Sequence, residues 1–254
     1  NKLFMDKPKI SIITVCFNSE KNLEQCIQSI VNQDYEKLEY IVIDGGSTDG
    51  TLDIINKYRD KISYFVSEPD KGISDAFNKG IRAATGDLIG IINSDDFMMP
   101  EVLKKVAAEY EEGVDVYRGY ELLYYPTRKK TKAEYPNNRF GCLPIGNCIC
   151  HEAAFITKKT YEEVGLYKVD FKYIMDLDLF MRLYRINAIH KFINVCVLTF
   201  RVGGASSTIS KSYLMERQRL IIENGGTRFD AFLYVNYHKL KQMLKRLVFL
   251  IWPK

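Results

Sequence analysis

The sequence predicts an α/β fold with a mostly parallel central sheet flanked by helices. Over the first 96 residues, four short apolar segments alternate with three segments of helical periodicity, the pattern of parallel βα units. The apolar segments show little polar alternation, as expected for strands buried on both faces. A polar cluster follows each of them. In open α/β folds ligands bind at the carboxyl edge of the strands, so these clusters predict a binding site at that edge.

The four strands are expected at residues 9–17, 40–43, 62–66 and 88–92. Between them, apolar side chains recur at helical spacing within residues 23–31, 52–58 and 73–84. The polar clusters cover residues 14–18, 44–49, 68–75 and 93–96. All four clusters are expected at the same edge of the sheet, which is difficult to explain if they are only unrelated turns. Their shared position is the main argument for a binding site.

The fourth cluster places two adjacent carboxylates, Asp95 and Asp96, directly after a buried strand. Like charges side by side need a compensating cation, and hard oxygen ligands suit Mg²⁺ or Mn²⁺, which in turn suit a diphosphate. A second interpretation needs no metal: Asp96 could be the N-cap of a helix that begins at Phe97.

The second half of the chain is less regular. We expect a helix over 100–111, one or two strands within 114–125, and strands at 153–157 and 191–197. Residues 125–147 are expected to form a loop, either an acceptor-facing flap or a charged surface loop. Residues 201–207 form a second predicted loop, able to close over phosphates. Four potential zinc ligands, Cys142, Cys148, Cys150 and His151, lack the paired spacing of structural zinc sites.

Asp176 and Asp178 open another predicted helix. Asp178 lies four residues before Arg182, a spacing that favours an ion pair on one helical face. Asp176 has no evident partner. It is therefore either a functional carboxylate or an N-cap.

The C-terminal residues 229–251 are expected to form a basic amphipathic helix that extends beyond the α/β domain. Such a helix suits an anionic membrane surface. Packing back on the domain is the other interpretation, and the sequence favours neither.

The composition is that of an ordinary soluble globular protein, with 46% hydrophobic and 27% charged residues over 254 positions. Six cysteines without a paired framework indicate a reducing compartment. No signal peptide is visible and no apolar run approaches the roughly 20 residues that span a bilayer. We therefore expect a cytoplasmic protein, free or peripheral on the inner face of the cell membrane, without a nucleic-acid partner.

Taken together, the clusters resemble the family 2 glycosyltransferases of the GT-A fold, a Rossmann-like architecture. The segments that carry the resemblance are 11–18, 43–51, 68–80 and 86–96. They are most similar to the bacterial branch that builds exopolysaccharide, capsule or lipopolysaccharide. The resemblance covers about residues 8–200. It implies a donor half at 1–98, an acceptor half at 99–210 and a C-terminal helical extension at 211–254.

The resemblance also implies roles for individual residues. The nucleotide-sugar site would comprise Thr14, Phe17, Asn18, Asp44, Ser47, Asp70, Gly72, Asp75, Asn78, Asn93 and Ser94. In it, the Phe17 ring would lie near a pyrimidine and Asp44 would accept hydrogen bonds from the base. The metal, Mn²⁺ or Mg²⁺, would be held by Asp95 and Asp96. Asn93 departs from the family's Asp-x-Asp motif, where a carboxylate stands.

On the acceptor side, Asp176 would be the general base, with Met175 in place of the family's Glu. His151 and Glu152 would lie near the acceptor. These roles imply an inverting transfer from a nucleotide-diphosphate sugar, most simply a UDP-sugar, to a hydroxyl of a saccharide or lipid-linked saccharide.

Two other functions are compatible with parts of this pattern. A non-catalytic module that binds sugar nucleotides or scaffolds a membrane assembly would account for Asn93 and Met175. A nucleotidyltransferase is disfavoured, because residues 17–20 contain neither the glycines nor the basic run of a phosphate loop.

Overall fold

The computed structural model describes residues 7–137, 149–203 and 210–251. Its strands are β1 (Ile10–Cys16), β2 (Leu38–Asp44), β3 (Tyr64–Ser67), β4 (Leu88–Ile91), β5 (Phe97–Met98), β6 (Val116–Tyr125), β7 (Lys130–Glu134), β8 (Ala154–Thr157) and β9 (His190–Arg201). Its helices are α1 (Leu23–Val31), α2 (Thr51–Lys57), α3 (Ile73–Ala83), α4 (Val102–Ala108), α5 (Lys158–Val164), α6 (Met175–Arg185), α7 (Lys211–Glu223) and α8 (Arg228–Ile251).

The first half of the sheet is parallel, as predicted, with strand order β3-β2-β1-β4. The register aligns Cys16 with Asp44 and Asp44 with Ser67, so the carboxyl ends of three strands lie side by side. The polar clusters that follow these strands therefore begin at one edge of the sheet. This register is what allows distant parts of the chain to share a site.

The second half of the sheet is mixed. β8 runs antiparallel to β4, β6 runs antiparallel to β8, and β9 then pairs parallel to β6. β5 and β7 pair antiparallel to β9 and β6, respectively. Mixed sheets with antiparallel strands added to a parallel core are common in large sheets.

Helices cover both faces of the sheet. The apolar faces of α1 and α4 pack on one side and those of α3 and α6 on the other. α7 and α8 form a separate small core, in which Ile221 packs against Ala231, Tyr234 and Val235. The predicted helical extension is therefore present, and α7 also contacts the α/β domain, where Leu220 joins the core formed by α3 and α6.

Two sequence-based expectations are wrong here. Residues 125–147 are not all loop, because Lys130–Glu134 forms β7, whose register with β6 joins Tyr125 to Lys130 across a tight turn. This strand is polar and largely exposed, so no apolar alternation marked it. The helix proposed to begin at Phe97 is also absent, since Phe97 and Met98 form β5 instead. Asp96 is therefore not its N-cap.

The structure also bears on an ion pair, on two of the possible zinc ligands and on the second predicted loop. The ion pair between Asp178 and Arg182 is confirmed, with Arg182 Nε 2.9 Å from Asp178 Oδ2. Cys142 and Cys148 lie outside the described residues, as do residues 204–207 of the second predicted loop. Among the helices that the structure describes, none combines the length and apolar character needed to cross a membrane.

Candidate active site

A cavity of about 1050 Å³ opens at the carboxyl edge of the sheet. Its walls come from the segments that follow β1, β3 and β4, from the start of α6, and from α7. The predicted site residues that line it are Phe17, Asn18, Asp70, Gly72, Asn93, Ser94, Asp95, His151, Glu152 and Asp176. The predicted residues that do not line it are Thr14, Asp44, Ser47, Asp75, Asn78 and Asp96.

The segment after β1 forms one wall. Asn18 adopts a left-handed backbone with φ of 48°, a conformation that Asn tolerates better than most residues. Its Oδ1 accepts a hydrogen bond from Thr48 N at 2.9 Å, and its own N–H donates to Ser47 Oγ at 2.8 Å. These bonds tie the loops after β1 and β2 together. They leave the Phe17 ring 62% exposed at the cavity.

Asp44, which was predicted to accept hydrogen bonds from the base, is engaged within the protein in this structure. Its side chain is fully buried, and protein donors occupy both oxygens. Oδ2 accepts from the N–H groups of Gly46 and Ser47 and from Ser67 Oγ, while Oδ1 accepts from Ser47 Oγ. In this geometry Asp44 holds the turn after β2, and no exposed carboxylate oxygen remains for a nucleotide base.

Asn78 and Thr14 are also used inside the protein. Asn78 Nδ2 donates to Tyr167 O at 2.8 Å and its Oδ1 accepts from Tyr167 N at 2.9 Å. Both hydrogen-bonding groups of this amide are thus committed to another part of the chain. Thr14 is buried, and its hydroxyl accepts from Tyr40 Oη. Asp75 accepts from Lys71 N beside the cavity wall without lining it.

The turn before α3 brings backbone close to a carboxylate. Asp70 Oδ1 accepts from Gly72 N at 2.9 Å, and Gly72 has φ of 104°, which favours glycine. Asp70 also lies against Gly45, where a Cβ would come within 2.7 Å of Asp70 Oδ2. The geometry leaves Asp70 at the cavity wall, backed by two glycines.

The segment after β4 supplies the carboxylates of the fourth cluster. Asp95 lines the cavity, whereas Asp96 is buried behind it and accepts a hydrogen bond from Arg201 N at 2.6 Å. Arg201 also donates from its guanidinium to the carbonyl of Asp95. The side chain of Ser94 lies 2.8 Å from Ser19 Oγ. The segment is therefore held in place from both β9 and the loop after β1.

Asp96 and Glu152 form a buried acidic pair. Burial raises the pKa of Asp96 to about 6, and the Asp95 carboxylate adds to the effect. Burial, followed by the Asp96 charge, raises the pKa of Glu152 well above its usual range. One oxygen of each carboxyl, Oδ2 of Asp96 and Oε2 of Glu152, has no other partner among the described residues. The two carboxyl groups are hydrogen-bonded to each other, which requires a proton on one of them.

A divalent cation fits the donor set at Asp95. Among the described residues, no three His, Cys, Asp or Glu side chains gather into a cage made by protein alone. Mg²⁺ and similar ions do not need such a cage, since they are often held by one or two carboxylates together with substrate phosphates. Asp95 offers a partly exposed carboxylate at the cavity for this arrangement, and Asp96 is the buried residue next to it.

Asp176 lies in the first turn of α6, where the helix dipole stabilises a carboxylate. It is not the N-cap, which is Ile174. Oδ1 accepts a hydrogen bond from Leu177 N at 2.7 Å, and the side chain faces the cavity. Nearby, His151 Nε2 is hydrogen-bonded to the hydroxyl of Tyr167. Burial lowers the pKa of His151, and the Asp176 charge opposes this effect.

Sequence reasoning missed several residues that line the cavity. Glu121, on β6, is only 8% exposed, and burial, followed by the Asp96 charge, raises its pKa to about 7. A single carboxylate among the apolar residues of β6 was the signal that could have identified it. The cationic side chains at the wall are Lys21, Lys172, Arg201 and Arg217. Arg217 comes from α7, and its Nη1 is buried without a hydrogen-bond partner among the described residues.

Comparison with known proteins gives consistent results. Residues 11–165 match the family model described as glycosyl transferase family 2. The chain is 29% identical over 222 residues to a PGL/p-HBAD biosynthesis glycosyltransferase of Mycobacterium bovis, covering 84% of this chain and 85% of that protein. It is 31% identical over 180 residues to an uncharacterised glycosyltransferase of Mycobacterium tuberculosis, covering 69% and 68%.

Two solved structures have the same fold. Staphylococcus aureus TarS 1–349 in complex with UDP-GlcNAc matches with a TM-score of 0.67 at 20% identity, over 91% of this chain and 72% of that one. The mannosyltransferase PcManGT of Pyrobaculum calidifontis, in complex with GDP-Man and Mn²⁺, matches with a TM-score of 0.60 at 19% identity, over 84% and 61%. The predicted GT-A fold is confirmed by these likenesses.

Proposed function

Because the chain belongs to glycosyl transferase family 2, we propose that it moves a sugar from a nucleotide-diphosphate sugar to an acceptor hydroxyl. The acceptor is a saccharide or lipid-linked saccharide in bacterial cell-surface polysaccharide biosynthesis. The observation that carries this proposal is the presence of Phe17, Asp95 and Asp176 on one cavity. An aromatic ring, a carboxylate for a cation and a carboxylate for a proton are the groups that such a transfer needs.

The donor would bind at the wall made by the segments after β1 and β3. Phe17 offers an exposed ring for the base, and Asn18, Asp70 and Gly72 lie beside it. A UDP-sugar is the simplest donor, which agrees with the UDP-GlcNAc bound to TarS, although PcManGT binds GDP-Man. These donor residues fall within 1–98, and Asp176 falls within 99–210, as the proposed division into donor and acceptor halves requires.

The leaving diphosphate carries charge that must be neutralised. Asp95 would hold Mn²⁺ or Mg²⁺, and such an ion, when bound, stabilises the charge that develops on the departing nucleotide. Asn93 and Ser94 border the same place and offer neutral polar atoms to the donor. Arg217 adds a cationic side chain from α7.

Asp176 is the proposed general base of an inverting reaction. It takes the proton of the acceptor hydroxyl while that oxygen forms its bond to the anomeric carbon and the bond from this carbon to the diphosphate oxygen breaks. A single displacement needs one base and no covalent intermediate, in contrast to double displacement by two carboxylates. His151 and Glu152, which line the cavity near Asp176, would border the acceptor.

Replacing Asp176 by Asn tests the assignment. This change keeps the shape of the side chain and removes its basicity, so transfer should fall by about 10²-fold or more while binding of UDP is unchanged. Transfer is measured as UDP release from UDP-sugars in the presence of Mn²⁺, and binding by calorimetry. Near-normal turnover by Asp176→Asn would show that another group is the base.

The alternative, a non-catalytic module that binds sugar nucleotides, makes the opposite prediction for the unaltered protein. Asn93 and Met175, which depart from the family pattern, are the features that favour it. Slow hydrolysis of a UDP-sugar by the wild-type protein, abolished in Asp176→Asn, would exclude this alternative. Binding without any turnover would support it.

We also propose that α8 contacts an anionic membrane surface on the cytoplasmic side. One face of this helix packs on α7 through Ala231, Tyr234 and Val235, and another carries an exposed apolar stripe. Residues 231–254 contain five Lys or Arg and no Asp or Glu, which favours negatively charged lipid. Because α7 also lines the cavity through Tyr213 and Arg217, a docked helix pair would bring the site near a lipid-linked acceptor.

A further inference from the structure

The side-chain amide of Asn93 has one defined orientation. Its Nδ2 donates a hydrogen bond to Oε1 of Glu152. Its Oδ1 is shielded from solvent and has no hydrogen-bond partner among the described residues. Asn93 lies at the cavity. A buried acceptor without a partner is costly, and a hydrogen bond donated by a ligand would remove that cost.

Glu152 is well suited to keep this orientation. It is only 4% exposed, and it belongs to a short helical turn next to β8, so it reaches Asn93 from a different part of the sheet. Its carboxyl group is also hydrogen-bonded to that of Asp96, which accepts a hydrogen bond from Arg201 N. The resulting chain of contacts runs from the end of β9 through two carboxyl groups to the amide of Asn93.

We propose that Glu152 is a positioning residue. By holding Nδ2 of Asn93, it makes Asn93 present its carbonyl oxygen, and not its amide hydrogens, to a hydroxyl group of the bound sugar nucleotide. This inference rests on the proposed function only for the identity of the ligand. The orientation of the amide is a property of the protein alone.

The arrangement also accounts for the amide at position 93. An Asp in its place has no hydrogen to give to Glu152, and its carboxylate would meet a second carboxyl group at close range. Asn93→Asp is therefore expected to weaken nucleotide binding even though it restores the carboxylate of the family motif. Glu152→Gln, in contrast, is expected to keep the hydrogen bond to Asn93, because its carbonyl can accept from Asn93 while its amide donates to Asp96.

The test compares wild type, Glu152→Gln, Glu152→Ala, Asn93→Ala and the double alanine variant. Affinities for UDP and for GDP, each with Mn²⁺, are measured by calorimetry. Glu152→Ala should weaken binding about tenfold, and Glu152→Gln should stay within about twofold of wild type. If Glu152 acts through Asn93, then adding Glu152→Ala to Asn93→Ala should cause no further loss. Equal losses in both backgrounds, or no loss from Glu152→Ala, would overturn the proposal.

A second readout needs no ligand. The side-chain NH₂ signals of Asn93, identified by their absence in Asn93→Ala, should exchange slowly with solvent in wild type and in Glu152→Gln and quickly in Glu152→Ala. If these signals behave as expected but neither nucleotide binds to wild type, the proposed function fails while the positioning role stands. If exchange is the same in Glu152→Ala and wild type, Glu152 does not hold the amide. Thermal unfolding of each variant identifies any general loss of structure.

Discussion

The hydroxyl of Ser67 lies 2.6 Å from Oδ2 of Asp44 and donates a hydrogen bond to it. The two residues end neighbouring strands, β3 and β2, in direct register. The same oxygen also accepts from two backbone N–H groups of the following turn. The buried carboxylate of Asp44 thus joins the end of β3 to the turn after β2, at the edge of the sheet where the cavity opens.

Replacing Asp44 by Asn should therefore reduce stability. An amide nitrogen at either oxygen position would face donors, so at least one donor loses its acceptor, at a cost of about 2–3 kcal/mol. Ser67→Ala, which removes a single hydrogen bond, should cost only about 1 kcal/mol. Urea unfolding of the two variants measures the difference. If Asp44→Asn is as stable as wild type but binds nucleotide poorly, the carboxylate contacts the base after all.

Replacing Phe17 is expected to affect nucleotide binding and to leave stability nearly unchanged. Its ring is exposed at the cavity, so Phe17→Ala should leave the free energy of unfolding within about 0.5 kcal/mol of wild type. Loss of stacking on a base should weaken UDP binding about tenfold, since such contacts contribute about 1–3 kcal/mol. Phe17→Tyr keeps the aromatic face and is the matched control. Unchanged affinity in Phe17→Ala would move the base to another part of the cavity.

Asp44 and Phe17 show which features of the site could be predicted from the sequence. Buried strands and amphipathic helices each have a local periodicity, so the parallel half of the sheet and its polar edge could be predicted. Residues close after a strand end, such as Phe17 and Asp95, then fall at the cavity. Asp44 is instead the last residue of its strand, aligned with Cys16, and its side chain is buried.

The rest of the site depends on contacts between distant residues. Asn78 donates a hydrogen bond to the backbone of Tyr167, 89 positions later, and no local sequence pattern predicts that partner. Glu121 becomes a cavity residue because β6 pairs with β8 and β9, which places the carboxyl near Asp96. Such mixed pairing is set by long-range packing, which explains why the second half of the chain was predicted less well than the first.

Glu121 should make stability depend on pH. Its pKa is raised from 4.5 to about 7, chiefly by burial and then by neighbouring carboxylates. Between these two values the folded chain keeps a proton that the unfolded chain has lost, so stability falls as pH rises through this window. Glu121→Gln cannot ionise. Relative to wild type it should gain about 2–3 kcal/mol between pH 5 and pH 8.

Urea unfolding at several pH values, without nucleotide, measures this gain. Glu112→Gln, at an exposed position, should leave the pH dependence of wild type unchanged. Parallel stability curves for wild type and Glu121→Gln would show that Glu121 is not the buried titrating group.

The last prediction concerns the exposed stripe of α8, formed by Phe229, Phe232, Leu233, Tyr237, Leu240, Met243 and Leu244. If it lies on an anionic membrane, the protein should sediment with vesicles that contain about 30% phosphatidylglycerol, should not sediment with phosphatidylcholine alone, and should be released by salt. Phe232→Ser with Leu240→Ser should weaken binding at least about tenfold, because two apolar side chains no longer enter the lipid. Met215→Ser, at an exposed apolar residue of α7 outside the stripe, is the matched control and should bind as wild type does. If the wild-type protein elutes as a dimer that the double variant disrupts, and vesicles bind neither, then the stripe covers a second copy of the chain and the membrane proposal is wrong.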